Sequence, residues 1–198
     1  MLLRPKTKLL FDSRWVNKLI FKEHTDYDLA GNVDAIAVKS ESGNVFDFYR
    51  SDPVENPEDF TLTKVYHQIK EVRELIDYFS FLQTSRVRIH KQIPGNIVPL
   101  HTDGNNVNAK VKTDYNLRMV TALTADEDFV YRFKEKGELR EFSLKQGESV
   151  IFDPDLVEHG MDNNSKTETR YALVQIFKAY PVHRGLIDFI NTNQLFEI

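Results

Sequence analysis

Between Arg86 and Phe177 apolar and polar residues alternate in short runs, and that period of two limits what the chain can fold into. The runs are Arg86 to Ile93, Asn116 to Leu123, Phe129 to Phe133, Leu139 to Leu144, Ser149 to Phe152 and Arg170 to Phe177. Turn residues separate them: Gly95, Gly104, Gly137, Gly147 and Asn163-Asn164. Many short strands broken by such turns build a β-sandwich, jelly roll or barrel. Upstream the period changes. Val65, Ile69, Val72, Ile76 and Phe79 form one stripe of an amphipathic helix, with Lys70, Glu71, Arg73, Glu74 and Asp77 on its other faces. A helix whose apolar stripe packs on a sheet fits a jelly roll best. The fold expected is therefore mainly β with supporting α-helices, a double-stranded β-helix of the cupin-like kind. A hairpin is also expected, with Asp34 to Lys39 returning as Asn44 to Tyr49 through a turn at Ser40 to Gly43.

The 198 residues, 41% of them hydrophobic, suffice for one domain with a sizeable core. Within it, residues 1–84 read as an N-terminal α/β support region, 85–178 as the β-helix core and 179–198 as a C-terminal extension. A net charge of -4 and the lack of basic runs interleaved with aromatics argue against nucleic acid as a partner. The chain begins without a secretory apolar stretch and nowhere runs 18 apolar residues together, so a cytoplasmic protein without membrane partners is expected. There is no cysteine. Disulfides, thiolate nucleophiles and cysteine-bound zinc or iron–sulfur clusters are thereby excluded, and any metal must be held by histidine and carboxylate.

Two segments carry suitable ligands. In Pro99-Leu100-His101-Thr102-Asp103-Gly104, an extended backbone points His101 and Asp103 the same way, with Thr102 facing away. In Ile151-Phe152-Asp153-Pro154-Asp155-Leu156-Val157-Glu158-His159, a strand runs into a loop that ends in a histidine. Two imidazoles and one carboxylate form the facial triad of non-haem iron(II) oxygenases, and His101, Asp103 and His159 match it. A His-x-Asp pair alone arises by chance in many chains. The pair gains weight from Arg170, which opens the last strand and shares a face with Ala172, Val174 and Ile176. A guanidinium among apolar neighbours wants a carboxylate, which either 2-oxoglutarate or a protein Asp or Glu could supply. Arg118 repeats the pattern beside Val120 and Ala122. Two readings stay open for it, an anion-binding interior or a solvent face, because the opposite face of Leu117, Met119 and Leu123 is the more apolar.

Residues 85 to 178 resemble the aspartyl/asparaginyl β-hydroxylase family of iron(II) and 2-oxoglutarate oxygenases, which includes bacterial free-proline cis-hydroxylases. The resemblance rests on four ordered blocks. These are Arg86-Val87-Arg88-Ile89 through Pro99-Leu100-His101-Thr102-Asp103-Gly104; Leu117-Arg118-Met119; Gln146-Gly147-Glu148-Ser149-Val150-Ile151-Phe152-Asp153; and Glu158-His159 followed by Arg170. It implies that His101, Asp103 and His159 hold Fe(II), that Arg170 binds the distal carboxylate of 2-oxoglutarate, and that Arg118 meets its other carboxylate end. With dioxygen (O2), such an enzyme hydroxylates an unactivated C–H of an amino acid, free or in a peptide. Gln146 stands where the family usually has proline, and residues 1–84 carry no family motif. Two alternatives are a cupin-like metalloenzyme that does not use 2-oxoglutarate and a non-catalytic jelly-roll binding module.

Other candidates read as structural. His67 falls on the helix's polar face, and His90, on the strand face opposite Val87 and Ile89, is placed to approach the site but reads better as a satisfied structural histidine. His24 and His183 have no supporting pattern. Trp15, Phe46, Phe48 and Tyr49 read as core or lid packing. Asp126-Glu127-Asp128 reads as a solvated loop and Lys134 to Glu138 as a hairpin turn. Asp153 and Asp155 are competing carboxylates, but Pro154 between them points to loop shaping.

Overall fold

The computed structural model describes residues 2–4, 13–24, 33–48, 56–80, 82–103, 116–178 and 196–197. Tyr49, Pro53, His183, Gly104 and the stretch to Tyr115 lie outside these residues, as does the side chain of His24. The alternating runs become antiparallel strands. β1 (Leu2–Arg4), β2 (Lys22–His24), β3 (Val33–Ser40), β4 (Thr61–Leu62), β5 (Thr84–Gln92), β7 (Asn116–Ala122), β10 (Ser149–Phe152), β12 (Arg170–Lys178) and β13 (Phe196–Glu197) form a nine-stranded sheet. Its order is β13-β1-β10-β7-β12-β5-β3-β2, with β4 pairing β3. β6 (Ile97–His101), β8 (Phe129–Glu135), β9 (Glu138–Ser143) and β11 (Glu158–Asn163) form a second sheet ordered β6-β11-β8-β9. Two facing antiparallel sheets with these crossovers make the expected jelly roll.

The large sheet buries both faces, and the period of two decides which residue goes where. Leu117, Met119, Ile151, Tyr171, Leu173 and Phe177 join one cluster with Trp15 and the helices. Their neighbours Val120, Ala122, Val150, Phe152, Ala172 and Val174 turn the other way and pack against Tyr131 and Phe133 of β8. That second face, between the sheets, is where the site lies. Arg118 and Arg170 share its parity.

The helix stripe covers the outer face in two pieces. α1 (Lys64–Gln68) and α2 (Lys70–Tyr78) meet at Ile69, whose extended backbone (φ -111°, ψ 108°) interrupts the single helix expected. The break reseats the stripe: Val65, Val72, Leu75 and Phe79 are buried, whereas Ile69 and Ile76 are only partly so. Thr63 caps α1 by accepting from the Val65 N–H, and its own hydroxyl donates to the Ala37 carbonyl at 2.8 Å, tying the helix to β3. Of the hairpin expected across residues 34–49, the described residues form only the first strand, with the return run joined to it by the Ala37 N–H donating to the Val45 carbonyl at 2.8 Å. Asn44 instead closes a local turn, its side chain accepting from the Phe46 N–H at 2.9 Å, and β3 pairs with β2, β4 and β5.

Two turns follow sequence chemistry. Lys136 and Gly137, both at positive φ, connect β8 to β9 in a two-residue hairpin. Gln146 donates from Nε2 to the Leu123 carbonyl and to Ser13 Oγ, pinning the turn before β10 to the N-terminal segment.

Phe79→Ala empties a fully buried site and should destabilise the protein by about 3–5 kcal/mol in urea unfolding. Breaking the exposed Lys70–Glu74 pair with Lys70→Ala should change stability by less than about 0.5 kcal/mol.

Candidate active site

The site starts from a close approach of two strands. At Gly160 of β11 an added Cβ would stand 2.7 Å from the Val98 carbonyl and 3.1 Å from the Leu100 nitrogen of β6. Only glycine admits that contact. The register shifts there in a bulge that leaves His159 directly opposite His101, with ring centroids 4.5 Å apart.

Each imidazole is then fixed by the carbonyl two residues before it. Nδ1 of His101 lies 2.8 Å from the Pro99 oxygen, and Nδ1 of His159 lies 3.0 Å from the Val157 oxygen. A carbonyl only accepts, so Nδ1 carries the proton and Nε2 turns its lone pair into the site. Asp103 arrives differently from the expectation. The strand ends at His101, and Asp103 sits in a turn where its N–H donates to the Pro154 carbonyl at 2.9 Å. Asp153 shapes that loop as expected, its carboxylate accepting from the N–H groups of Asp155 and Leu156. Asp103 Oδ1 stands 3.5 Å from Nε2 of His101 and 3.6 Å from Nε2 of His159, and all three ligand atoms lie within 4.8 Å of one another. Neighbouring ligands at about 2.1 Å from an ion stand about 3 Å apart, so a small closure of these side chains would bring them to one metal. The donor set, with both lone pairs pre-aimed, fits a divalent ion.

Arg118 turns inward and joins this cluster. One guanidinium nitrogen donates to Nε2 of His159 at 3.0 Å and the other pairs with Oδ2 of Asp103. The lone pair on His159 can serve either Arg118 or an ion, but not both.

The charges bias the three groups apart. Burial and then Arg118 push His159 down to about 3. The hydrogen bond that a protonated His101 makes to Asp103 outweighs burial and raises its pKa. Burial disfavours an ionised Asp103, yet Arg118 and the imidazoles overcome it and hold the carboxyl well below the usual range.

Arg170 lies elsewhere between the sheets and is 2% exposed. Its Nη1 donates to Gln92 Oε1 at 3.1 Å and contacts Met161 Sδ at 2.8 Å, while the guanidinium lies 4.3 Å from the centre of the Tyr131 ring. Among the described residues, Arg170 Nη2 and the Tyr131 hydroxyl are buried without a hydrogen-bond partner, and Arg170 forms no ion pair. A buried cation without a counter-charge costs several kcal/mol, so the geometry is suited to an anion. Tyr131 and Met161 also line the pocket beside His159, Arg118, Phe133 and Val174. His90, read from sequence as structural, lines it too. Gln92, Tyr131 and Met161 were not singled out by the sequence reading, because each looks like an ordinary strand residue. Their signal is positional. Gln92 is cross-strand to Arg170, and Tyr131 is cross-strand to Met161.

Neither a scan of protein families nor a search of curated proteins finds a match. Solved structures do match. HygX of Streptomyces hygroscopicus, with nickel and 2-oxoglutarate bound, is 9% identical over 90% of this chain and 82% of its own, with a TM-score of 0.53. SnoK, a non-haem alpha-ketoglutarate-dependent carbocyclase from nogalamycin biosynthesis, is 12% identical over 82% and 70%, with a TM-score of 0.52. A 2OG-Fe(II) oxygenase family oxidoreductase of Burkholderia pseudomallei is 14% identical over 82% and 74%, with a TM-score of 0.50. At these identities the likeness establishes the jelly-roll fold. Among the described residues no helix is long and apolar enough to cross a membrane.

Two outcomes test the geometry. Gly160→Ala should push β11 off β6 and weaken Mn(II) binding at least about tenfold by calorimetry, with the fold retained. In the metal-free protein at pH 5, NMR of the imidazole rings should find His159 neutral and His101 protonated. The linked stability changes fall in separate windows. His101, raised, contributes fully below 6.5 and loses its contribution as pH rises through its folded value. His159, depressed, costs stability as pH falls from 6.5 toward about 3.

Proposed function

We propose that the protein is an iron(II)- and 2-oxoglutarate-dependent oxygenase that hydroxylates an unactivated C–H of an amino acid, free or within a peptide. The observation that carries this reading is the buried Arg170 Nη2 and Tyr131 hydroxyl, both without partners among the described residues, with Tyr131 lining the same pocket as His159 of the His-Asp-His cluster. A metal site alone would suit many enzymes. A separate buried cation beside it calls for a substrate with an anionic end.

In this reading His101, Asp103 and His159 hold iron. When bound, iron with 2-oxoglutarate and dioxygen supplies the oxidising chemistry that inserts oxygen into the C–H bond. The chain's own residues place and shield the reactants. Arg170 and Tyr131 donate to the distal carboxylate of 2-oxoglutarate. Arg118, released from His159 when the lone pair is used elsewhere, keeps its hold on Asp103 and offers donors to the other carboxylate end. Phe133, Phe152, Val120 and Val174 exclude water from the space between the sheets. The four ordered sequence blocks support a place beside the aspartyl/asparaginyl β-hydroxylases, and the presence of Asp103 supports the bacterial branch of free-amino-acid hydroxylases. The solved oxygenases that share the fold carry 2-oxoglutarate chemistry, which is consistent with the same use here.

The reading is tested by iron(II)-dependent release of succinate from 2-oxoglutarate. In Arg170→Ala the co-substrate KM should rise roughly 10- to 150-fold, the loss expected for a charge-assisted hydrogen bond. A variant that turns over 2-oxoglutarate as well as its parent would remove Arg170 from the site. Calorimetry in which Mn(II) binds but 2-oxoglutarate does not would favour a cupin-like metalloenzyme.

A further inference from the structure

Gln92 is wholly buried, and its amide can point only one way. Nε2 donates to two backbone carbonyls, Asn96 at 2.9 Å and Met161 at 3.1 Å, which leaves Oε1 facing Arg170 Nη1. The backbone around it is fastened as well. Asn163 Nδ2 donates to the Gln92 carbonyl at 2.9 Å, the Asn163 N–H donates to Asn96, and the Gly95 N–H donates to Asn163. This knot joins the end of β5 to the turn before β6 and the end of β11, spanning both sheets.

We propose that Gln92 is a positioning residue that presents Arg170 as an oriented but uncompensated cation, and so selects a co-substrate with a second carboxylate over monocarboxylate 2-oxo acids. The proposal rests on the oxygenase reading above. A glutamate at 92 would satisfy Arg170 from within the protein and leave an incoming carboxylate nothing to neutralise. The neutral amide oxygen takes one donor, fixes the plane of the guanidinium with help from the Tyr131 face, and leaves both Nη2 and the full positive charge for the ligand. Met161, whose sulfur also touches Nη1, is the other neighbour that contacts the cation without cancelling it.

The test compares the affinities of 2-oxoglutarate and 2-oxobutyrate by calorimetry on the Mn(II)-loaded protein, which needs no turnover. The parent should prefer 2-oxoglutarate at least about tenfold, the value of one charge-assisted contact. Gln92→Met keeps the volume and loses the acceptor, and should lose 2-oxoglutarate affinity while 2-oxobutyrate affinity stays. Gln92→Glu loses the same two amide donors but adds a charge, and should erase the preference. Met161→Glu brings a carboxylate to Nη1 from a partly exposed position with Gln92 untouched, and should erase it too. Retained preference in Met161→Glu with Mn(II) binding intact overturns the proposal, whether or not the Gln92 variants fold. A parent that binds Mn(II) but no 2-oxoglutarate overturns the co-substrate reading itself, a result distinct from any change among the variants.

Discussion

The contact between Gly160 and the backbone of β6 is the constraint on which the site depends. A jelly roll holds its two sheets apart by the thickness of their side chains, and residues on neighbouring strands of one sheet stand closer than residues across the sandwich. Placing both histidines on adjacent strands, opposite each other, uses the shorter distance. The missing side chain at residue 160 allows it. Once the strands meet, the two rings repeat one local device, an imidazole tethered to the carbonyl two residues earlier. Neither tether depends on another side chain: Pro99 lies in β6, and Val157 lies just before β11, where its N–H donates to the Asp153 carbonyl at 3.0 Å, so backbone alone orients both rings.

The remaining parts follow from the two-sided burial of the large sheet. One face is closed by α1, α2 and Trp15 around a hydrophobic cluster. The other carries Arg118 on β7 and Arg170 on β12 among small apolar neighbours, where the second sheet covers them. Strand parity puts both arginines inward together. Their surroundings then divide their roles: Arg118 has an acidic partner in Asp103, whereas among the described residues Arg170 is met by an amide oxygen, a sulfur and an aromatic face.

Much of this was legible in the sequence where a residue's chemistry and the local period agreed. Alternation located six strands within a residue or two, and ligand chemistry with the absence of cysteine isolated His101, Asp103 and His159. Parity placed Arg170 inward, and it left Arg118 undecided because the opposite face of its strand was the more apolar. What stayed hidden depended on contacts distant in sequence. β6 and β11 have weak alternation, interrupted by Pro99 and Gly160, and are held by pairing, β6 with β11 and β11 also with β8. The helix break at Ile69 leaves the apolar spacing unchanged and so has no periodic signature. Gln92 and Tyr131 matter through Arg170, which lies 78 residues from the first in the chain.

The placement of Arg118 has a further consequence. A carboxylate gathered with imidazoles for a dication would ordinarily draw protons onto the rings until the ion came. Here the chain contributes a positive group of its own to two of the three ligands. In the proposed enzyme the guanidinium thus stands in for part of an ion's charge, and binding a metal would free His159 Nε2 from Arg118 while the contact with Asp103 is kept.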